Sequence, residues 1–263
     1  VVTPLLPHLL PFAIGAAGGF VGALLGLGGG IIVVPLLTLV LGIPLHSAVG
    51  TSLLAVVATS VAGSAKYLEQ GLVDLRLAIT LQSALVMGAV AGAVAAPHVP
   101  ARWLALLFSL VMVWASLQLF RPGVAGEEAP PRVRSGAPVY RLRGLPEGLG
   151  ASGLAGLLSG LLGVGGGIIT IPVMILRMGV PTRVALATSS FMIGLTAAAS
   201  ALVTAMHGTI PLRLAAAVVL GVLAGASGGS RLARHFSAGR LRQLVALVMI
   251  WAAIQLVLRK VMS

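Results

Sequence analysis

Gly26-Leu27-Gly28-Gly29-Gly30-Ile31-Ile32, with Pro35 close behind, occurs a second time as Gly163-Val164-Gly165-Gly166-Gly167-Ile168-Ile169 with Pro172. The offset is 137 residues, from Gly28 to Gly165, and it holds without a gap along the half-chain. Gly42 and Pro44 match Gly179 and Pro181, and Thr51-Ser52 matches Thr188-Ser189. Leu75-Arg76-Leu77-Ala78 matches Leu212-Arg213-Leu214-Ala215, while Trp114 and Gln118 match Trp251 and Gln255. Chance likeness between apolar runs does not keep Pro, Trp, Gln and Arg in register, so the chain is a duplication. Residues 1–120 form the first repeat and 148–263 the second. The stretch 121–147 between them is rich in Pro, Gly, Arg and Glu and reads as a loosely packed linker.

The solvent of this chain follows from its composition. Of 263 residues, 58% are hydrophobic and 8% charged, and the mean hydropathy is +1.10. An ordinary soluble domain carries about 25% charged residues, so lipid must surround most of this one. Thirty-five glycines against 4% aromatics favour helices that approach closely. The chain has no cysteine, which excludes disulfides, thiolate metal sites and a cysteine nucleophile. The net charge of +12 sits in short gaps between apolar runs, a distribution that marks membrane orientation rather than a nucleic-acid surface. No cleavable signal peptide is expected ahead of the first apolar run.

A spanning helix takes about 20 apolar residues. Three runs of the first repeat meet this, at 45–66, 75–96 and 101–120, and their mates lie at 183–205, 212–233 and 238–258. The opening segments, 8–41 and 148–177, are too long for one span and are broken by the glycines and a proline. If each such segment enters and leaves on one side, as two half-helices meeting at the glycines, the second repeat is inverted. One face then collects Lys66, Arg76, Arg121, Arg132, Arg134, Arg141, Arg143, Arg177, Arg183, Arg231, Arg234, Arg240 and Arg242. Only Arg102, Arg213, Arg259 and Lys260 of the 17 basic residues remain on the other. Parallel repeats would split them far more evenly, and basic residues gather on the cytoplasmic side. The expected fold is therefore all-α and polytopic. It has two inverted repeats, each with a glycine-broken helical hairpin and three spanning helices, and its linker is cytoplasmic.

Two constellations offer chemistry. Gly28, Gly29 and Gly30, with Gly165, Gly166 and Gly167, let the backbone leave the helix and turn bare N–H groups into a cavity. Such backbone is tolerated at membrane depth only inside protein or beside a hydrated pocket. Two half-helix N-termini meeting there would favour an anion. The alternative is that the glycines only serve packing, as in GxxxG interfaces. Thr51, Ser52, Thr188 and Ser189 form the second set. Each pair opens a spanning helix after a Pro-containing turn and can donate to an anion, or can simply cap and cross-link helices. Gly26-Leu27-Gly28-Gly29-Gly30 is not a nucleotide fingerprint, since no Walker lysine or strand context accompanies it. Outside the linker the acidic residues are Glu69 and Asp74, expected in a solvated loop, with Met206 and Pro211 as their mates. His46, His98, His207 and His235 lie near span ends without metal-ligand spacing. Trp114 and Trp251, one turn before Gln118 and Gln255, mark a membrane boundary. No metal, cofactor or catalytic group is called for.

The pattern G-x-G-G-G-x-x-x-x-P followed by A-x-G-T-S stands at Gly26–Pro35 and Ala48–Ser52. It recurs at Gly163–Pro172 and Ala185–Ser189, with Ala187 in place of Gly50. In these motifs the chain resembles the TauE/SafE family of sulfite-exporter-like permeases, over all of its length except the linker. That resemblance implies transport of small sulfur-containing anions, such as sulfite, thiosulfate or an organosulfonate, across a bacterial or archaeal inner membrane. Together these readings lead to a secondary transporter working by alternating access, not an enzyme, with the ten glycine and hydroxyl residues as the binding set. An anion-selective channel and a non-transporting assembly subunit are the alternatives. A proton or sodium coupling ion and a homo-oligomer stay open.

Overall fold

The computed structural model describes residues 6–25, 28–120, 133–134, 137–138, 140, 142–232 and 238–261. Gly26, Arg121, Arg132, Arg141, Arg234 and His235 of the sequence reading lie outside the described residues. Ten α-helices follow one another: α1 Leu6–Leu25, α2 Gly30–Val40, α3 Leu45–Glu69, α4 Leu75–Ala95, α5 Ala101–Phe120, then α6 Leu145–Leu162, α7 Gly167–Leu176, α8 Thr182–Met206, α9 Leu212–Leu232 and α10 Ala238–Val261. At the 137-residue offset α7 to α10 begin on the mates of the first residues of α2 to α5, and α6 begins two residues after the mate of the first residue of α1, so the duplication in sequence is a duplication of helices. Among the described residues four stretches, Leu45–Glu69, Leu75–His98, Ala101–Gln118 and Thr182–Met206, are long and apolar enough to cross a membrane. The other two expected spans form α9 and α10, whose apolar parts are Leu212–Gly228 and Val245–Arg259. Within the linker, Val133–Arg134 (β1) pairs antiparallel with Ala137–Pro138 (β2), a short ladder that its composition did not announce.

The two opening segments are helical hairpins. In the second, the Arg143 N–H donates to the Met178 carbonyl at 3.2 Å, so the chain before α6 touches the chain after α7. Glu147 and Arg177 bridge the same two ends at 3.4 Å. In the first, Gly22 abuts Gly29 and Gly18 abuts Val33, the order of two antiparallel segments. Hairpins are packed crosswise: α1 lies against α9, and α4 against α6. Both contacts are made by glycines four apart, Gly221 and Gly225 against Phe12 and Ala16, and Gly156 and Gly160 against Leu85 and Ala89. A Cβ at any of these would strike a backbone carbonyl. Backbones this close gain dispersion contacts that larger side chains would hold apart, which is what drives helix association in lipid. The small-residue packing reading therefore holds for these glycines.

At the centre α3 crosses α8. Gly50 lies beside Thr204, whereas Ser60, ten residues on, donates to the Ser190 carbonyl and abuts Gly194. As one helix advances the other recedes, so these two mates run antiparallel. The ends sort accordingly. At one end His46 Nε2 meets the Ala96 and Val99 carbonyls at 3.1 and 3.2 Å, and Gly50 meets Ile210. At the other end Asp74, Tyr140, Arg143, Glu147 and Arg177 come together.

Candidate functional site

Both glycine triplets take the backbone form that their composition allows. Gly28 and Gly29 have φ of 81° and 70°, and Gly165 and Gly166 have φ of 89° and 72°. A side chain in this left-handed region costs about 1–2 kcal/mol, which glycine does not incur. Gly29 and Gly166 are the N-caps of α2 and α7. Each triplet closes one tight turn, with Gly30 N–H to Gly28 O at 2.8 Å and Gly167 N–H to Gly165 O at 2.9 Å. Two of the six expected donors are thereby used inside the loops. The N–H groups of Gly28, Gly29 and Ile31, like those of their mates Gly165, Gly166 and Ile168, find no acceptor among the described residues.

The loops meet. A Cβ on Gly30 would collide with the Gly163 carbonyl and lie 3.4 Å from Val164 Cα. A Cβ on Gly28 would lie 3.1 Å from Val56 Cγ1 and 3.4 Å from Ile193 Cγ2; one on Gly165 would lie 2.9 and 2.8 Å from the same two atoms. Val56 and Ile193 are mates under the repeat offset, both buried, one from α3 and one from α8. The convergence expected from the sequence is present, but its centre is an apolar pair and not a ring of hydroxyls. Nothing in the sequence singled out Val56 or Ile193, because an apolar residue in an apolar helix carries no signal.

The four hydroxyl residues divide. Ser52 Oγ donates to Val49 O and to Gly163 O, each at 2.8 Å, and so ties α3 to the second glycine motif. Ser189 lies 3.2 Å from Thr170 Oγ1 and close to Gly167. Thr188 Oγ1 is turned to the loop before α4, where it accepts the Asp74 N–H at 3.0 Å. Its mate Thr51 is equally buried, and its Oγ1 has no partner. The cause is one substitution. Asp74 and Pro211 hold the same place, as their carbonyls show by accepting from Ala78 and Ala215 at 2.8 and 2.9 Å. Proline has no N–H to give.

Asp74 is not a free loop carboxylate. Oδ1 caps α4 through the Leu77 N–H at 3.0 Å, and Oδ2 accepts the Tyr140 hydroxyl at 2.6 Å. Burial and the adjacent carboxylate hold the Tyr140 phenol well above its ordinary range, so it is a standing donor that fastens the linker to α4. Further hydroxyls join the junction. Thr59 Oγ1 donates to the Gly28 carbonyl at 3.0 Å, and its mate Thr196 accepts from Gln82 at 3.0 Å. Their spacing, seven after Ser52 and seven after Ser189, places them on the same helix faces and was the available signal.

Long apolar helices around two touching, glycine-broken hairpins define a polytopic helical membrane protein built as a transporter. The chain belongs to the TauE/SafE sulfite exporter family, whose sequence profile matches residues 11–256. A probable membrane transporter protein of Xylella fastidiosa strain 9a5c is 31% identical over 92% of this chain and 93% of its own length. The probable membrane transporter protein YunE of Bacillus subtilis is 27% identical over 95% and 97%. One from Methanocaldococcus jannaschii is 29% identical over 73% and 69%. No solved structure matches the chain. It is thus a multi-pass membrane transporter whose substrate is a small solute.

Proposed function

We propose that the protein is a secondary transporter of small sulfur-containing anions in a bacterial or archaeal inner membrane, working by alternating access. The observation that carries this is the closure of both glycine loops on one mated pair, Val56 and Ile193. Inverted repeats are the arrangement this reading requires, and the opposed directions of α3 and α8 support them. The apolar pair is a gate whose separation would admit an anion to the unpaired N–H groups of Gly28, Gly29, Gly165 and Gly166 and to Ser189. Ser52, which holds the Gly163 carbonyl, and Gly30, Thr51, Gly167 and Thr188 then shape the site and position its helices. Sulfite, thiosulfate and organosulfonates are the substrate candidates, and a proton or a sodium ion is the candidate coupling ion.

The test is flux into proteoliposomes across a panel of sulfite, thiosulfate, sulfonates and carboxylates. Saturable uptake with counterflow, selective for the sulfur anions, is expected. Large unitary currents would make the protein a channel, and absence of flux would leave it an assembly subunit.

A further inference from the structure

Val56 stands at the middle of α3, and Ser60, Gly63, Ser64 and Tyr67 follow it along the same side of the helix. Ser60 is buried, but Gly63, Ser64 and Tyr67 are half-exposed. On α8 the matching line runs from Ile193 through Ala197 to Ser200 and Ala201, and all four are buried. These are the mates of Val56, Ser60, Gly63 and Ser64 under the repeat offset. The two central helices are thus covered alike up to Ser60 and Ala197, and unlike beyond them. A Cβ on Gly63 would meet nothing within 4 Å among the described residues, whereas its mate Ser200 donates to the Ala89 carbonyl at 3.4 Å.

The sequence supplies the cause. On α4, which lies against α8, Gln82 donates to Thr196 at 3.0 Å, and the Ala89 carbonyl takes the Ser200 hydroxyl. On α9, which lies against α3, the mate of Gln82 is Val219, and the mate of Ser200 on α3 is Gly63. Neither carries a polar side chain, so neither bond can be repeated. Hydrogen bonds draw α4 onto α8 at two levels where α9 has no equivalent hold on α3.

The opened stretch lies at membrane depth. Ser64 is eight residues past Val56, or ~12 Å at ~1.5 Å per residue, within the ~15 Å half-thickness of the hydrocarbon core. Its hydroxyl makes no hydrogen bond among the described residues, and lipid offers it none. Val61, 63% exposed, and Ala65 mark the outer side of the same helix, which is apolar and suits lipid.

We infer that a water-filled path runs from the linker face along Gly63 and Ser64 to the Val56–Ile193 pair, and that the matching path along Ser200 and Ala201 is shut. The linker face is its mouth, because α3 ends at Glu69 beside the turn that leads to Asp74 and Tyr140. The inference rests on the transporter reading above and gives the solute its route to and from the junction on that side.

The experiment places single cysteines in a chain that has none of its own and applies a membrane-impermeant maleimide to right-side-out and inverted vesicles. Gly63→Cys and Ser64→Cys should label from the side that reaches Gln70→Cys. Ser200→Cys and Ala201→Cys should stay unlabelled from that side, and Val61→Cys should label only after denaturation. Alkylation of Ser64→Cys should abolish the anion flux carried by the unmodified variant, while alkylation of Gln70→Cys should leave flux unchanged. Gly63→Cys and Ser64→Cys that react only after denaturation would overturn the path. So would Val61→Cys labelling as fast as Ser64→Cys, since α3 would then simply stand out of the membrane. Ala201→Cys labelling from the opposite side as fast as Ser64→Cys would show that neither route is shut. If the expected labelling is found but the native protein carries no anion flux, the path stands and the transporter reading fails; flux with an unreactive Ser64→Cys removes the path alone.

Discussion

In the first repeat, Gly18 and Gly22 bring α1 onto its glycine loop, and Thr51 beside the junction has no partner. In the second, Ala155 and Ser159 space α6 from its loop, while Thr188 is held by the backbone of Asp74. Two copies of one unit, packed by the same rules, thus differ in two respects: the first hairpin is closed down on its loop, and in the second repeat α8 is tethered to the turn before α4. Duplication supplies two matching half-sites, and a few exchanges (Gly22 for Ser159, Pro211 for Asp74) make them unequal.

The largest effect should come from the contact between the loops. Gly30→Ala drives a Cβ into the Gly163 carbonyl, which is backbone and cannot yield, whereas Gly167→Ala meets the flexible tip of Ile193. We expect about 3 kcal/mol of destabilisation or loss of folded protein for the first and about 1 kcal/mol for the second, read from thermal melts. Equal losses would mean that the two loops are interchangeable.

Next in size is the hydroxyl pair. Thr188→Val leaves the Asp74 N–H unpaired and should cost about 1–2 kcal/mol, while Thr51→Val removes a hydroxyl that bonds to nothing and should be neutral or stabilising. A smaller effect sharpens the same point. Pro211→Ala restores the missing N–H, so a cycle with Thr51→Val should show a coupling of about 0.6 kcal/mol, the usual strength of an interhelical bond in membranes. Zero coupling would show that the proline is not what leaves Thr51 unpaired. The smallest change is expected at the linker: Arg177→Gln removes an ion pair whose side chains are 70% and 59% exposed, and should shift stability by less than about 0.5 kcal/mol.

The parts that sequence could deliver are those that depend on local chemistry and the repeat. The constant offset announced the helix order, and the triple glycine with its proline announced where helices break. The basic residues predicted that Arg143 and Arg177 share a face, and the bond from Arg143 to Met178 puts their loops in contact. What could not be read depends on which repeat docks on which. Asp74 reaches Thr188 across 114 residues, so the exchange of Asp74 for Pro211 was visible while its consequence was not. Ser159 looked like any small residue in a glycine-rich helix, because what surrounds its hydroxyl is set by how α6 packs. The helix of α6 also begins at Leu145, inside the stretch assigned to the linker, since Pro146 in its first turn favours a helix start.

The central claim is that the same position in the two repeats faces opposite sides of the membrane. Gln70 and His207 are such a pair, both exposed in the turns that follow α3 and α8. Single cysteines placed there, in a chain with none of its own, can be probed in intact cells and in inverted vesicles with a membrane-impermeant thiol reagent. The account predicts labelling from opposite sides, with Gln70→Cys reached from the face that holds the linker. Labelling of both from one side would contradict it.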